Sequence, residues 1–314
     1  LTDSHIKGKN PINRKGNFYE DIMAKIDEVI ELSIKLDVDC VVHGGDLMDA
    51  PIVALGICDE VVDKIENAQK KWYISMGNHD EIGHNPNLSG QTILNHIFRR
   101  SKIIKHLDRI EDKTCYIHGF DYYHGIESDL KEKGLWSDLL HDDKKKVACV
   151  HAFITEKPFH PKVQHVIMKD IKTDFDLVLI GHYHGELGVV KIGKTTFISI
   201  GSLTRLTVAE SDTDRHPKCL FLDSDTGKAE IIPLKSAKQK EEIFDLNAIK
   251  EGKDFERRID DFIDSLEGTK FQSLNLAGMV QAVADKLDAD KDVMAEIMTR
   301  IGDAENVRLQ NKIG

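Results

Sequence analysis

A chain of 314 residues with 40% apolar and 31% charged side chains has an ordinary water-soluble balance, and is long enough for one large core with an appendage or for two domains. Its net charge of −11 argues against a basic domain that holds nucleic acid by charge alone, and no apolar run approaches the length of a bilayer span. The cysteines, Cys40, Cys58, Cys115, Cys149 and Cys219, are odd in number and widely spaced, which reads as reduced thiols and a cytoplasmic setting.

Along the chain, residues Phe18 to Leu36 carry Ile22, Ile26, Val29, Ile30 and Leu32 at helical spacing, which predicts an amphipathic helix. Val38 to Val42 then reads as a buried strand that stops at Gly44-Gly45-Asp46. A second helix is predicted from about Ile52 to Gln69, followed by a strand from Trp72 to Met76 that ends at Gly77-Asn78-His79. Val147 to Val150 leads into His151, and Leu177 to Ile180 leads into Gly181-His182. From Val189 the pattern turns to short strands: Val189 to Ile192, Thr195 to Ile200, Lys218 to Leu222 and Glu230 to Ile232. After Leu234 comes a charged connector, Lys235 to Glu242, and Ile249 to Asn311 is largely helical by periodicity. One apolar face there holds Phe255, Ile259, Phe262, Ile263 and Leu266; two more run from Leu274 to Leu287 and from Val293 to Ile301.

Five runs beside these strands share one chemistry: Asp3-Ser4-His5, Gly45-Asp46-Leu47-Met48-Asp49, Gly77-Asn78-His79-Asp80, His151, and Gly181-His182-Tyr183-His184. Aspartate, asparagine and histidine make a mixed oxygen and nitrogen donor set, which suits manganese, iron or zinc better than magnesium or calcium. No cysteine lies in the five runs, which speaks against a sulfur-ligated structural zinc. All but the first run lie just past the carboxyl end of a predicted strand, where open α/β sheets place their sites. The chemistry implied is two-metal phosphoester hydrolysis.

In this order the runs resemble the calcineurin-like metallophosphoesterase superfamily, and within it the SbcD-type DNA repair nuclease branch. The aspartate after Asn78-His79 and the lack of Arg-Gly after Asp49 both depart from the protein phosphatase branch. The resemblance implies an α/β fold, a four-layer αββα sandwich over residues 1–234, with a capping and mainly helical accessory region over 235–314. It implies that Asp3, His5, Asp46 and His184 hold one metal and that Asp46, Asn78, His151 and His182 hold the other. Asp46 then bridges through its two oxygens, and the cations, with manganese the favoured metal, activate a shared water. His79 serves the leaving group rather than the cations, with Asp80 and Asp49 orienting it and the neighbouring loops. Family members carry a strand before the first run, whereas only Leu1-Thr2 precedes Asp3, so Asp3 and His5 are expected to be poorly anchored.

The function implied is a metal-dependent phosphodiester hydrolase, a DNA exonuclease or endonuclease working with an SMC-like (SbcC-type) ATPase. The alternative is a diesterase for cyclic or other small nucleotides. A coiled coil of the ATPase is the partner expected for the helical tail, and a homodimer is a further assembly to test; no membrane is expected. Gly201-Ser202-Leu203 resembles a turn of the nuclease branch, though a plain turn explains it equally. Arg99-Arg100 with Lys102 and Lys105 reads as a solvated helix face or a basic patch. His43, His84, His118, His160 and His165 are expected to be structural or on the surface, and His124 is a candidate to line a substrate cleft.

Overall fold

The computed structural model describes residues 1–247 apart from 12–13, 83–85, 139–143, 161–162 and 208–209. The helices expected between Ile249 and Asn311, and His84, lie outside the described residues. A first compact unit runs from Leu1 to Ile249. Residues past Leu234 still pack on it: Ile243 and Phe244 are buried, and Phe244 pairs with Arg14 in an antiparallel bridge.

The elements follow in order as α1 (Phe18–Lys35), β1 (Cys40–His43), α2 (Leu55–Ala68), β2 (Lys71–Ile74), α3 (Ile93–Arg100), β3 (Ile104–His106), β4 (Arg109–Glu111) and β5 (Cys115–Phe120). Then come α4 (Ile126–Glu132), β6 (Lys145–His151), β7 (Ile154–Thr155), β8 (Val166–Ile167), β9 (Leu177–Gly181), β10 (Gly188–Ile192) and β11 (Thr195–Ser199). The described part closes with α5 (Glu210–Thr213), β12 (Lys218–Asp223), β13 (Lys228–Pro233) and α6 (Lys240–Ile243). Helix α1 begins at Asn17, whose side chain accepts the free amides of Tyr19 and Glu20 and so satisfies two of the unpaired donors at its start.

Strands β1, β2 and β3 form a parallel sheet, with Val41 opposite Trp72 and Trp72 opposite Ile104. The second sheet runs β10-β11-β9-β6-β5-β4, parallel at its centre and antiparallel at both edges. Ile22 and Ile26 of α1, Val61 and Ile65 of α2 and Leu94 of α3 pack with Trp72, Ile74 and Ile104 on the first sheet. On the second sheet Ala148 and Val150 of β6 pack toward Ile126 and Leu130 of α4, while Val147 joins Leu177, Ile198 and Ile200 in a separate cluster. Alternate residues of one strand thus enter two cores, which is why β6 reads as a continuous apolar run. Helices, sheet, sheet and helix make the four layers that the resemblance implies.

Among the described residues the late strands divide: β10 and β11 join the second sheet, whereas β12 and β13 pair with each other. One expectation needs correction, since the amino-terminal run is not loosely held. The Leu1 amine donates to the Val42 carbonyl, the Asp3, His5 and Ile6 amides donate to the carbonyls of Gly45, Asp46 and Leu47, and Asp3 and His5 are both fully buried. On the other side Leu203 N–H donates to the Thr2 carbonyl. The backbone of β1 and its turn on one side and of the Gly201–Thr204 turn on the other anchor the run, Leu1 and Thr2 included.

Candidate metal centre

The carboxyl ends of β1, β2, β6 and β9 bring Asp46, Asn78, His151 and His182 to one rim, where the amino-terminal run adds Asp3 and His5. Close approach there depends on missing side chains. A Cβ on Gly45 would lie 2.3 Å from His151 Nδ1, and one on Gly77 would lie 2.0 Å from Asp46 Oδ1. Asp3, His5, Asp46 and His182 all take positive φ, between 45° and 81°, which is strained for residues with a Cβ. Backbone strain of this kind persists where the surroundings over-determine it, and points to a functional site.

The donor atoms fall into groups that share members. Asp3, His5 and His184 form one, Asp46, His151 and His182 another, and His5, Asp46 and His79 a third that links them; in each the donor atoms lie within 4.8 Å of one another. Asp46 Oδ2 joins them, 3.6 Å from His5 Nε2 and 3.4 Å from His151 Nε2. Asn78 Oδ1 lies 3.2 Å from His151 Nε2, on the second side. All seven expected ligands therefore converge. The Oδ1 of Asp46 accepts the His79 amide at 2.9 Å, while its buried Oδ2 has no hydrogen-bond partner among the described residues. A single oxygen, not two, is thus open to both sides. A buried lone oxygen is costly, and this one, flanked by imidazole nitrogens, fits divalent cations.

The electrostatics agree. Burial disfavours a charged Asp3 or Asp46, but His5, His151 and His184 around Asp3, and His151 and His5 around Asp46, hold both carboxyls below their ordinary range. Burial likewise opposes charge on His5 and His151, yet the carboxylates outweigh it and lift them to about 10 and about 9. His182 goes the other way, to about 4, through burial and the nearby His151. Two ionised carboxylates drawing positive charge into a buried site make a centre built for cations.

The surrounding residues play parts that the sequence indicates only coarsely. His79 sits edge-on to His5, ring centroids 4.6 Å apart, and its Nδ1 donates to the Asp49 carbonyl at 2.8 Å, leaving Nε2 toward the centre. Asp49 turns His79 through its main-chain carbonyl, while its carboxylate lies 3.4 Å from His5 Nδ1 and 3.0 Å from Lys7 Nζ. Asp80 is buried and accepts the amides of Asp46 and Gly77, clamping the two loops; burial and the Asp46 charge raise its carboxyl. The Gly201-Ser202 turn supports the centre from behind, with Ser202 N–H donating to the His184 carbonyl and Arg215 donating to the Ser202 carbonyl. His43 is structural, buried with Nε2 2.7 Å from Ser4 Oγ. His124 is exposed ahead of α4, and it is Tyr122 of the same run whose ring lies on His182, centroids 5.5 Å apart. Sequence reasoning passes over Phe153, which meets both His182 and Tyr183 edge-on; the only available signal is a tyrosine between two histidines of one motif.

Residues 1–186 match the calcineurin-like phosphoesterase family. A DNA double-strand break repair protein Mre11 of Methanococcus maripaludis is 25% identical over 246 residues, covering 74% of this chain and 63% of the relative. The protein of the same name from Sulfolobus acidocaldarius is 24% identical over 192 residues, covering 59% of this chain and 49% of the relative. The chain thus spans between half and two thirds of the curated relatives it matches. Among solved structures, TT1561 of Thermus thermophilus superposes with a TM-score of 0.41 at 11% identity, covering 68% of this chain and 94% of that one. With the family matched over more than half of its length and the donor groups in place, the chain belongs to the calcineurin-like phosphoesterases, metal-dependent hydrolases of phosphoester bonds.

Proposed function

We propose that this chain is a two-metal phosphodiesterase acting on DNA, a nuclease of the SbcD and Mre11 kind. Asp3, His5 and His184 would hold one cation and Asn78, His151 and His182 the other, with Asp46 contributing to both. The observation that carries this reading is that unpaired buried oxygen between His5 and His151. Two bound divalent cations supply nucleophile activation and charge neutralisation at the phosphoryl oxygens. Nitrogen and oxygen donors in this mixture favour manganese, with iron and zinc as alternatives.

The chain's own groups do the rest. Asp80 holds the loops of Asp46 and Asn78 in register, and Asp49 with Lys7 fixes the His5 ring. His79, turned by the Asp49 carbonyl, presents Nε2 to donate a proton to the leaving oxygen. The relatives named for double-strand break repair support DNA as the substrate. By the same resemblance, an SMC-like ATPase is the partner of the segment beyond residue 249. No helix among the described residues is long and apolar enough to cross a membrane.

The test sets linear duplex DNA beside bis-p-nitrophenyl phosphate in manganese buffer. Cleavage of both is expected. Cleavage of the small diester alone overturns DNA as the substrate, and cleavage of neither overturns the diesterase. Deleting residues from Leu274 onward is expected to keep hydrolysis of the small diester and to end co-purification with the ATPase.

A further inference from the structure

We infer that Phe153, Phe159 and Tyr183 form a stacking wall that receives an unpaired nucleobase next to the scissile phosphate. This rests on the phosphodiesterase reading and narrows its substrate class to nucleotide diesters whose base is free of a duplex.

The three rings lead outward from the centre without a gap. Phe153 meets His182 edge-on with centroids 5.7 Å apart, Tyr183 at 5.3 Å and Phe159 at 5.1 Å, and Phe159 meets Tyr183 at 6.1 Å. His182 is half-buried, whereas Phe159 is 43% exposed, so the apolar surface runs from a metal-ligand candidate to solvent. Tyr122, lying on His182 with a tilt of 34°, borders the same histidine. An exposed aromatic ring continuous with a catalytic rim is a binding surface rather than stray apolar area.

The wall is held from behind. Phe153 N–H donates to the buried carboxylate of Glu127 at 3.0 Å. Phe159 N–H donates to His165 Nε2 at 3.0 Å, and the other ring nitrogen of His165 donates to the Val163 carbonyl at 2.7 Å, which sets the tautomer. The β7–β8 pairing, Ile154 opposite Val166, closes this loop at its base. Under Tyr183 lies Gly185, where a Cβ would come within 2.6 Å of the tyrosine ring, so the ring rests on space that only glycine leaves. Preorganised rings bind with little ordering cost.

The occupant follows from chemistry and place. A cleaved phosphodiester sits at the metals, and the flat apolar group attached within one sugar of it is a base. A base inside a duplex has both faces covered, so the wall engages a frayed end, a flipped base or a single strand. No stacking platform is evident in the sequence, because the rings come from two separate segments.

The experiment compares a thymidine dinucleotide with counterparts bearing an abasic sugar on either side of the phosphodiester, in manganese buffer. The wild type is expected to favour a base on one side by about tenfold or more in kcat/KM, the usual scale of base–aromatic stacking. Phe159→Ala should remove that preference and Phe159→Trp should restore it. Quenching of 2-aminopurine deoxynucleotide fluorescence on binding should follow the same order. Equal kcat/KM for base-bearing and abasic dinucleotides in the wild type overturns the wall without any variant, as does an equal loss on both in Phe159→Ala. If bis-p-nitrophenyl phosphate is cleaved and neither dinucleotide is, the wall alone fails; if nothing is cleaved, the diesterase reading fails with it.

Discussion

His5 Nε2 lies 2.9 Å from His184 Nε2, although the two residues are 179 positions apart in the chain. Each nitrogen is also 3.8 Å from Asp3 Oδ1. Two imidazole nitrogens aimed at each other can share at most one proton, whereas one cation satisfies both lone pairs and the carboxylate together. The strained backbones of Asp3 and His5 are held in place to make this meeting.

Asp46→Asn is expected to be the most damaging single change at the centre. It removes charge from the one oxygen common to both donor groups while keeping the shape. Activity on a small diester should fall by well over the 10–100-fold usual for changes outside the ligand shell, and elemental analysis should find less manganese retained. Near-normal activity would rule out Asp46 as the shared ligand.

His79→Ala should behave differently. Its Nδ1 is engaged by the Asp49 carbonyl and its role is proton donation, so turnover should drop by about 100-fold or more while both cations stay bound. Substrates with a better leaving group should lose less. Loss of metal in step with activity would show that the histidine is a ligand.

Gly77→Ala tests the close packing around the bridge. The added methyl group would meet Asp46 Oδ1 at 2.0 Å and the Asp46 amide nitrogen at 2.6 Å, so the loop has to move. Manganese affinity measured by titration should weaken and thermal stability should drop. A variant with unaltered affinity would mean that the Asp46 loop is not held as described.

Much of the centre is legible in the chain's own pattern. Three of the ligand runs stand out because β1, β2 and β9 lead into glycine followed by aspartate, asparagine or histidine, while β6 ends directly in His151. Strand β5 escapes such a reading because His118 and Gly119 interrupt its apolar pattern; Gly119 is there because a Cβ would meet the Leu107 carbonyl oxygen at 2.1 Å. Sequence position identifies Asp49 as a helper but does not say which of its atoms acts, since that depends on how the β1 loop turns. The firm hold on Asp3 and His5 is invisible for the same reason: it comes from backbone groups of Gly45, Asp46 and Leu47, whose side chains carry no sign of it.

A buried lysine on α1 makes a pH prediction. Burial and the guanidinium of Arg14 push Lys25 down to about 7 from the ordinary 10.5, against the pull of Asp21. Between those values the unfolded chain binds a proton that the folded chain does not, so stability rises with pH across that window, by up to about 1.4 kcal/mol per unit. Below about 7 the penalty is complete and constant. Lys25→Met removes it. The variant's stability relative to wild type, from urea unfolding at several pH values, should be greatest near pH 7 and shrink toward pH 10. A difference that does not change with pH would show that Lys25 stays charged in the folded protein.

The most direct measurement is manganese content together with the electron paramagnetic resonance of the reconstituted protein. Two cations sharing the Asp46 oxygen give two manganese ions per chain and a spin-coupled spectrum, lost in Asp46→Asn. One ion per chain, or two with the spectrum of isolated manganese, would contradict a shared centre.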